Sequence, residues 1–467
     1  MDFFSIMEDF RDHIATVNEQ GKRVWIYPKK PSGRLTNRRK LVSYSLLIFL
    51  LVAPWIQVNG SQLLEFNILE RKFSIFGATF WPQDFYIFAI LLVIGIVFVI
   101  LFTIIYGRIF CGWICPQTIF MEFVFRQVEY WIDGDWNHQK ALDKAPWDAK
   151  KWGKRILKHG IFWLISFVIA NVFLAYIIGS KELFRIQTEP ISQHIGGFSA
   201  IIVFTTLFYF VFSYLREQVC TTICPYGRLQ GVLLDKNSMV VAYDHVRGEQ
   251  RAKFKKNENR PESGKGDCID CHQCVHVCPT GIDIRNGTQL ECVNCTACID
   301  ACDTMMDGVG LERGLIRFVS ENGIVNRTRF QWTRRVISYT GVLVVLIGVL
   351  VVLLLNREDF NTTILRQRGS TFQIDAENHI TNIFEIDLTN KTKHSFRVKL
   401  ISSDPDVKLR IASDQINLKG EKHLRERFIA RFPYKVIEHG TKKIDVIVIG
   451  NGEEIDRVSI KLIGPSF

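Results

Sequence analysis

The carboxyl-terminal quarter of the sequence lacks cysteine. All twelve cysteines lie before residue 303, and residues 356–467 contain none. A disulfide-stabilised exported scaffold would concentrate its cysteines in the oxidising compartment, so this class is excluded. The chain also lacks low-complexity repeats, and its 35 Phe and 48% hydrophobic residues exclude a disordered or fibrous protein. The position of the cysteines therefore favours metal or redox chemistry.

Long apolar runs are abundant. Five runs are each close to the roughly 20 residues that a helix needs to cross a bilayer, which excludes a simple soluble enzyme. They are Leu41–Val58, Phe85–Tyr106, Ile156–Ile178, Phe198–Leu215 and Val336–Leu355. Residues 1–40 are mostly polar, whereas a secretory signal has its apolar core much earlier. We therefore expect the first run to stay in the membrane.

The net charge of +11 is distributed unevenly. Residues 1–40 carry nine Lys and Arg, 107–155 carry eight and 216–335 carry seventeen, whereas 59–84 and 179–197 carry two each. Cytoplasmic loops of membrane proteins are enriched in these residues. The alternation predicts a protein of the bacterial cytoplasmic (inner) membrane, with the amino terminus and the cysteine-rich segment cytoplasmic and the carboxyl terminus periplasmic. The basic excess is thus a topology signal, and no nucleic-acid partner is expected.

Eight cysteines are concentrated in 35 residues. They form two runs with C-x2-C-x2-C-x3-C spacing, Cys268, Cys271, Cys274, Cys278 and Cys292, Cys295, Cys298, Cys302. In two-cluster ferredoxins the first three cysteines of such a run hold one [4Fe–4S] cluster and the fourth holds the other. The spacing therefore predicts cluster one on Cys268, Cys271, Cys274 and Cys302, and cluster two on Cys292, Cys295, Cys298 and Cys278. Two structural zinc sites are the alternative, although zinc rarely needs a doubled four-cysteine run.

The other four cysteines form a repeated C-x3-C-P motif. One copy contains Cys111 and Cys115, the other contains Cys220 and Cys224, and each follows a Y-x-R sequence at the end of an apolar run. The repeat indicates a duplicated helical hairpin, which would bring the four cysteines together. Pro favours the first turn of a helix, so Cys115 would lie at a helix N-terminus, where the dipole favours thiolate.

These four cysteines are candidate metal ligands and candidate catalytic residues. Soft thiolates select copper(I), zinc or iron–sulfur, and Arg108, Arg216 and Arg228 would add positive charge nearby. A redox dithiol pair is a second interpretation. Simple packing of small buried side chains at a helix end is a third.

Residues 356–467 alternate apolar and polar residues between turn signals. The pattern predicts seven strands, typical of an immunoglobulin-like sandwich. These are Thr371–Ala376, Ile380–Leu388, Ser395–Ile401, Lys408–Ile411, Leu424–Arg431, Lys443–Ile449 and Val458–Leu462. We interpret this part of the chain as a docking module, because it has no cysteine and no obvious catalytic group.

The predicted fold is a polytopic α-helical membrane protein with five spans, a cytoplasmic two-cluster ferredoxin-like domain and an exported immunoglobulin-like β-sandwich. The domains are a cytoplasmic segment at 1–40, a four-helix membrane domain with both C-x3-C-P motifs at 41–230, the ferredoxin domain at 231–335, a fifth transmembrane helix at 336–355 and the sandwich at 356–467.

This ordered combination of motifs resembles the cytochrome c oxidase accessory proteins of the CcoG/FixG/RdxA type over nearly the whole chain. The resemblance implies a role in assembling a cbb-type oxidase, through reduction of copper(II) to copper(I). Cys111, Cys115, Cys220 and Cys224 would then handle copper, and the two clusters would supply electrons. The implied partners are membrane lipid, a cytoplasmic electron donor, a copper carrier or transporter, and the oxidase assembly machinery.

Two other functions stay open at this point. One is a quinol-oxidising polyferredoxin subunit that exchanges electrons with a partner reductase. Proteins of that kind share both cysteine motifs but typically lack a large exported sandwich, so the carboxyl-terminal domain favours the accessory family. The other is a non-catalytic assembly scaffold whose clusters are structural or sensory. Spacing alone does not encode the direction of electron flow.

Overall fold

A computed structural model describes most of residues 16–465. The gaps within that range are residues 19, 21, 59–60, 68–71, 77, 82–83, 257, 328–331, 358, 368, 370, 393, 412–415, 421 and 438–439. The chain divides into two compact units. The first comprises the described residues of 1–58, 62–67 and 90–348, and the second those of 59–61, 68–89 and 349–467.

The first unit is mainly helical. Its α-helices are α1 Arg34–Val52, α2 Phe85–Tyr106 (which begins in the second unit), α3 Ile109–Trp113, α4 Pro116–Phe120, α5 Arg126–Ile132, α6 Trp136–Lys144, α7 Ala149–Ile178, α8 Ser180–Thr188, α9 Ile195–Phe210, α10 Pro225–Leu233, α11 His245–Gly248, α12 Gln273–His276, α13 Ala297–Val309, α14 Glu321–Val325 and α15 Arg334–Leu355 (which ends in the second unit). Single π-helical turns occupy Met121–Phe125, Val211–Leu215 and Val219–Ile223. Short strands are β1 Gln57–Val58, β2 Ser61–Gln62 (which begins in the second unit), β3 Leu64–Asn67, β4 Lys72–Ile75 and β5 Ala78–Phe80 (both in the second unit), β6 Val240–Tyr243 and β7 Ile316–Val319.

Four helices of the described chain are long and apolar enough to cross a membrane. They are Phe85–Tyr106, Ala149–Ile178, Ile195–Leu215 (α9 with its π turn) and Arg334–Leu355. Each corresponds to a run predicted from the sequence. Their side chains that face away from the protein are large and apolar, as a helix in contact with lipid requires.

The first predicted span, Leu41–Val58, is not among these four helices. Helix α1 covers Arg34–Val52, and its first two turns carry four Lys and Arg. Its apolar part, from Leu41 to Val52, would rise only ~18 Å, short of the ~30 Å hydrocarbon core. A single 3-10 turn, Ala53–Trp55, continues it. The fifth span and the orientation of the termini therefore stay predictions.

The cysteine-rich segment packs against the amino-terminal end of α1. Asp300, on α13, accepts hydrogen bonds from the backbone N–H of Leu35 and Thr36 at 3.0 and 2.6 Å and from the Thr36 hydroxyl at 2.7 Å. A carboxylate here satisfies orphan donors at a helix N-terminus. The predicted boundary at residue 230 consequently does not separate two compact bodies, because the membrane helices and the cluster domain belong to one unit.

The cluster domain is built around a small antiparallel pair of strands. Strand β6 pairs with β7, with Val240 opposite Val319 and Tyr243 opposite Ile316. The core beside these strands contains Val241 and Met306 together with cysteines of both runs. Helices α12 and α13 each begin one residue before the third cysteine of a run, so each run consists of a loop that leads into a helix.

The second unit contains a β-sandwich. Its strands are β8 Phe360–Arg366, β9 Gln373–Ile374, β10 His379–Asn390, β11 Phe396–Ser402, β12 Lys408–Ile411, β13 Ile416–Leu418, β14 His423–Pro433, β15 Thr441–Gly450 and β16 Glu453–Ile463. One sheet has the order β12-β14-β10-β8 with β9 beside β10, and the other has the order β13-β11-β15-β16. Alternate residues such as Ile380, Ile386, Val446 and Val448 are fully buried between the sheets.

The seven predicted strands correspond to seven of these nine. The first, predicted at Thr371–Ala376, is only Gln373–Ile374, and Lys408–Ile411 has the predicted bounds. Strands β8 and β13 were missed. Strand β8 has three polar residues after Phe360 and is defined by its pairing with the carboxyl-terminal half of β10, from Asn390 opposite Phe360 to Phe384 opposite Arg366. Pairing of this kind is a tertiary property that a local pattern does not reveal.

Candidate iron–sulfur and four-cysteine sites

The structure gathers the eight ferredoxin-type cysteines around two cavities. The first has a volume of about 340 Å³, and its lining includes Cys268, Cys271, Cys274 and Cys302. These are the four predicted ligands of cluster one. The fourth ligand comes from the other cysteine run because α13 carries Cys302 back towards the first loop, while Ile316 and Tyr243 close the other side.

The second cavity has a volume of about 350 Å³. Its lining includes Cys278, Cys292, Cys295 and Cys298, the four predicted ligands of cluster two, and Cys274 of the neighbouring set. Cys274 reaches both cavities, so the two sites are adjacent. Each cavity thus offers four thiols, with both runs contributing to each set, and this donor set fits a [4Fe–4S] cluster.

The thiols of each cavity interact across the two runs. Burial raises the pKa of the Cys302 thiol to about 12, and Cys271 and Cys268 raise it as well. Burial likewise raises the pKa of Cys292 to about 12, with a contribution from Cys278. Buried, crowded thiols of this kind ionise when bound iron compensates their charge.

Both C-x3-C-P motifs place their second cysteine immediately before a helix. Cys115 precedes α4, which begins at Pro116, and Cys224 precedes α10, which begins at Pro225. Proline fits the first helical position because its missing N–H is not needed there. The first cysteines differ in setting, since Cys111 lies in the α-helix α3 and Cys220 in a π-helical turn.

The structure brings the four membrane-proximal cysteines together. Burial raises the pKa of Cys220 to about 12, and Cys115, Cys111 and Cys224 each raise it further. Burial also raises the pKa of Cys111, although the Arg108 cation and a hydrogen bond with Gln230 oppose this shift. Gln230 is fully buried, and its side-chain amide lies 3.5 Å from the Cys111 sulfur. Four soft donors therefore share one small, largely buried region.

The arginines expected near these cysteines have different roles. Arg108 is buried and donates to the Gly227 carbonyl at 3.0 Å, so it joins the two motifs. Arg216 instead donates to both oxygens of Glu129, at 2.8 and 2.6 Å. This pairing compensates its charge, which corrects the expectation that Arg216 offers free positive charge to the thiols. The Arg228 side chain lies outside the described residues.

The first motif lies directly against the loop of cluster two. A methyl group on Gly112 would come within 2.5 Å of the Val293 carbonyl oxygen and 2.9 Å of the Cys295 backbone nitrogen. Arg39 donates to the Gly112 carbonyl at 2.6 Å, and its cation lowers the pKa of Cys295 against the raising effect of burial. The four-cysteine region and cluster two are thus separated by backbone in van der Waals contact.

A network of buried charges surrounds a third cavity beside Cys220. This cavity has a volume of about 310 Å³, and its lining includes Gln117, Glu122, Arg126, Arg216, Cys220 and Pro279. Arg126 forms salt bridges with Glu122 and, at 3.5 Å, with Glu217. Burial alone would raise the pKa of Glu129, but Arg216 and Lys158 hold it below its ordinary value. The cavity therefore lies between fixed charges on one side and, on the other, Cys220 and the neighbours of two predicted cluster-two ligands, Pro279 and Val293.

Four functional positions were missed by the sequence analysis. Asp300 docks the cluster domain on α1, Arg39 and Gly112 connect the first motif to cluster two, and Gln230 contacts Cys111. The i+6 position of Gln230 after Cys224 carries no recognisable spacing. Arg39 is one of four basic residues in the first two turns of α1, so the sequence alone did not distinguish it from its neighbours.

Comparison with known proteins agrees with this arrangement. Residues 215–321 match the family model described as a 4Fe-4S dicluster domain, 88–138 match a 4Fe-4S binding domain, and 350–465 match the IG-like fold at the C-terminal of FixG. Together with the long apolar helices and the two four-cysteine cavities, these matches define a membrane-bound iron–sulfur electron-transfer protein.

Two known proteins of similar sequence show which family the chain belongs to. The chain is 32% identical over 433 residues to the nitrogen fixation protein FixG of Rhizobium meliloti, covering 84% of this chain and 82% of that protein. It is 34% identical over 393 residues to protein RdxA of Cereibacter sphaeroides, covering 81% and 82%. A crystal structure of a FixG-related protein from Vibrio parahaemolyticus aligns with 23% of this chain and 97% of its own, at 15% identity and a TM-score of 0.21. The chain belongs to the FixG/RdxA family of membrane ferredoxins.

Proposed function

We propose that this protein delivers single electrons to copper(II) at Cys111, Cys115, Cys220 and Cys224, and that the copper(I) formed serves the maturation of a cbb-type cytochrome oxidase. Each copper(II) takes up one electron, and no other bond forms or breaks. When bound, the two [4Fe–4S] clusters would supply the one-electron carriers. The observation that carries the proposal is the contact of Gly112 with the Cys295 loop.

The donor set explains why copper is the proposed substrate. Thiolates prefer copper(I) to copper(II). A site that binds the product more tightly than the substrate raises the reduction potential of the bound couple, by linkage between binding and redox state. Cys115 and Cys224 each lie at a helix N-terminus, and the Arg108 cation lies near Cys111, so both settings favour thiolate. A copper carrier or transporter would deliver the metal, and the oxidase assembly machinery would receive it.

The experiment removes one thiol from each motif. The Cys115→Ala/Cys224→Ala double variant should weaken copper(I) binding and slow copper(II) reduction, while iron and sulfide stay at the wild-type value. Competition with a copper(I) chelator measures the affinity for copper(I), and an anaerobic stopped-flow assay measures the rate of copper(II) reduction. Thr222→Ala is the matched control, because this exposed residue lies between Cys220 and Cys224. Unchanged copper affinity and reduction in the double variant would refute the copper role.

The number of iron atoms per chain tests whether a third iron–sulfur cluster, instead of copper, occupies the four membrane-proximal cysteines. The match of residues 88–138 to a 4Fe-4S binding domain includes Cys111 and Cys115. A third cluster on the four membrane-proximal cysteines would raise the count from about eight irons to about twelve per chain. It would also make the double variant lose about four irons, which the copper proposal excludes.

Quinol oxidation is a second candidate, and the third cavity is the observation that favours it. This cavity joins buried Arg126 and Glu122 to the Pro279 side of cluster two. Such groups could orient a quinol and accept its protons while the clusters take its two electrons one at a time. Anaerobic addition of a short-chain quinol distinguishes the two functions. Cluster reduction that is lost in Glu122→Gln and kept in the Cys115→Ala/Cys224→Ala variant would favour quinol as the electron source.

A further inference from the structure

The chain segment around residues 248–268 passes alongside cluster one. The backbone N–H of Ala252 donates to the Cys268 carbonyl at 3.2 Å. Buried Arg260 donates to the same carbonyl at 3.0 Å and to the Ala252 carbonyl at 3.1 Å. The segment is thus hydrogen-bonded to a ligand of cluster one, and its side chains stand close to that cluster.

Four consecutive residues of this segment face solvent. Lys253, Lys255 and Lys256 are exposed, and Phe254 between them is 41% exposed. Three acids nearby are paired: Glu249 with Arg251 at 2.6 Å, Asp267 with Arg247 at 2.5 Å, and Glu258 with Lys265. Glu262 is exposed, but the basic residues of the segment outnumber its acids. The surface therefore carries excess positive charge around one exposed aromatic side chain. We call Lys253–Lys256 the basic tetrad.

The segment that carries the tetrad is linked to the lining of the cluster-one cavity. Arg251 donates to the Arg285 carbonyl at 3.2 Å, and Arg285 lies 2.8 Å from the ring nitrogen of His272. Both Arg285 and His272 line the cavity of cluster one, and the His272 side chain is 50% exposed. A protein docked on the tetrad would consequently contact a segment that is hydrogen-bonded to this lining.

We propose that the basic tetrad is the docking surface for a small acidic carrier protein of the flavodoxin class, which delivers one electron at a time to cluster one. In each step one carrier's anionic flavin hydroquinone loses one electron to become the neutral semiquinone, and cluster one gains that electron. Charge complementarity steers such encounters and raises association rates by roughly 10- to 1,000-fold at low salt. Phe254 supplies the aromatic anchor that interface centres favour.

The direction of electron transfer, from the carrier to cluster one, rests on the proposed function. The test of the docking surface does not involve copper. Reduced flavodoxin is mixed anaerobically with copper-free, cluster-loaded protein in nanodiscs of zwitterionic lipid, and the bleaching of the visible cluster absorbance is followed. The wild-type rate should fall as salt rises. Lys253→Glu/Lys255→Glu/Lys256→Glu should slow reduction by about tenfold or more at low salt and remove most of the salt dependence.

Three controls separate docking from other effects. The matched charge reversal Lys399→Glu/Lys408→Glu/Lys419→Glu, on exposed lysines of the β-sandwich, should keep the wild-type rate. Reduction by dithionite, a small reductant, should be the same in all variants at equal iron content. Phe254→Ala should slow reduction by flavodoxin severalfold while keeping its salt dependence.

Two results would overturn the proposal. One is a tetrad variant that flavodoxin reduces at the wild-type rate and with the wild-type salt dependence. The other is a tetrad effect that appears only in nanodiscs of anionic lipid, which would assign the lysines to the membrane surface. Failure of copper reduction with an intact tetrad effect would refute the proposed function alone, because this assay reports only the first electron step.

Discussion

Replacing Gly112 by alanine tests the contact between the four-cysteine region and cluster two. The new methyl group would lie 2.5 Å from the Val293 oxygen and 2.9 Å from the Cys295 nitrogen and α-carbon, whereas ordinary contact begins at 3.4 Å. All three atoms are backbone, so no flexible side chain can move aside. The loop must therefore withdraw by up to about 0.9 Å, measured from the shortest of these contacts.

The Gly112→Ala substitution should affect both the stability of the protein and its rate of electron transfer. Overpacking of this kind destabilises a protein by about 1–3 kcal/mol, which leaves a chain of this size folded. The rate of electron transfer falls as the distance between donor and acceptor grows, and a displacement of less than about 1 Å is a small part of that distance. We therefore expect Gly112→Ala to keep both clusters and to slow electron transfer to copper(II) severalfold.

The assay starts from anaerobically reduced protein and follows cluster reoxidation after mixing with copper(II). Gly308→Ala is the matched control, because Gly308 lies in helix α13 of the same domain and an added methyl group there meets nothing within 4 Å. Rates are normalised to the reduced-cluster signal in electron paramagnetic resonance. Equal normalised rates for the two variants would show that electrons do not cross at Gly112.

The remaining predictions concern the clusters, the topology and one buried arginine. Cys271→Ser and Cys295→Ser should each lose up to about half of the eight expected irons, and zinc in place of iron in anaerobic protein would refute both cluster sites. Reporter fusions after Asp267 and after Phe467 should lie on opposite sides of the membrane, and same-side results would exclude five spans. Arg39→Gln removes a cation near Cys295 and should lower the reduction potential of cluster two, whereas Arg39→Lys retains the positive charge and should keep that potential close to the wild-type value. A redox titration that shows no difference between these two variants would contradict the electrostatic role of Arg39.

The motifs with regular spacing were predictable in detail. The exchange of Cys278 and Cys302 between the two cluster sites follows from the short loop in each run, and the two cavities contain these predicted sets. The helix starts after Cys115 and Cys224 were predictable for a similar reason, since proline permits few backbone conformations. Local geometry decides these features, so the local sequence reveals them.

The first span shows where local patterns become insufficient. Leu41–Val58 has the apolar composition of a span, but its helix starts earlier, at Arg34, and ends at Val52. The basic first turns are helical because Asp300 accepts hydrogen bonds from the N–H groups of residues 35 and 36. Hydropathy along the chain does not reveal a contact with an acid that lies 264 residues away in the sequence. Strands β8 and β13 were missed for the same reason, since partner strands define them.

The sequence by itself determined which residues carry the chemistry: eight cysteines for two clusters, and four more in a duplicated motif. It determined these because covalent spacing limits which thiols can surround one group. Only the tertiary structure decided that the first C-x3-C-P motif meets cluster two at a glycine, that Arg216 is paired with Glu129, and that the basic tetrad borders cluster one. Those relations depend on packing between segments distant in the chain, where side-chain volume and charge pairing decide which surfaces meet.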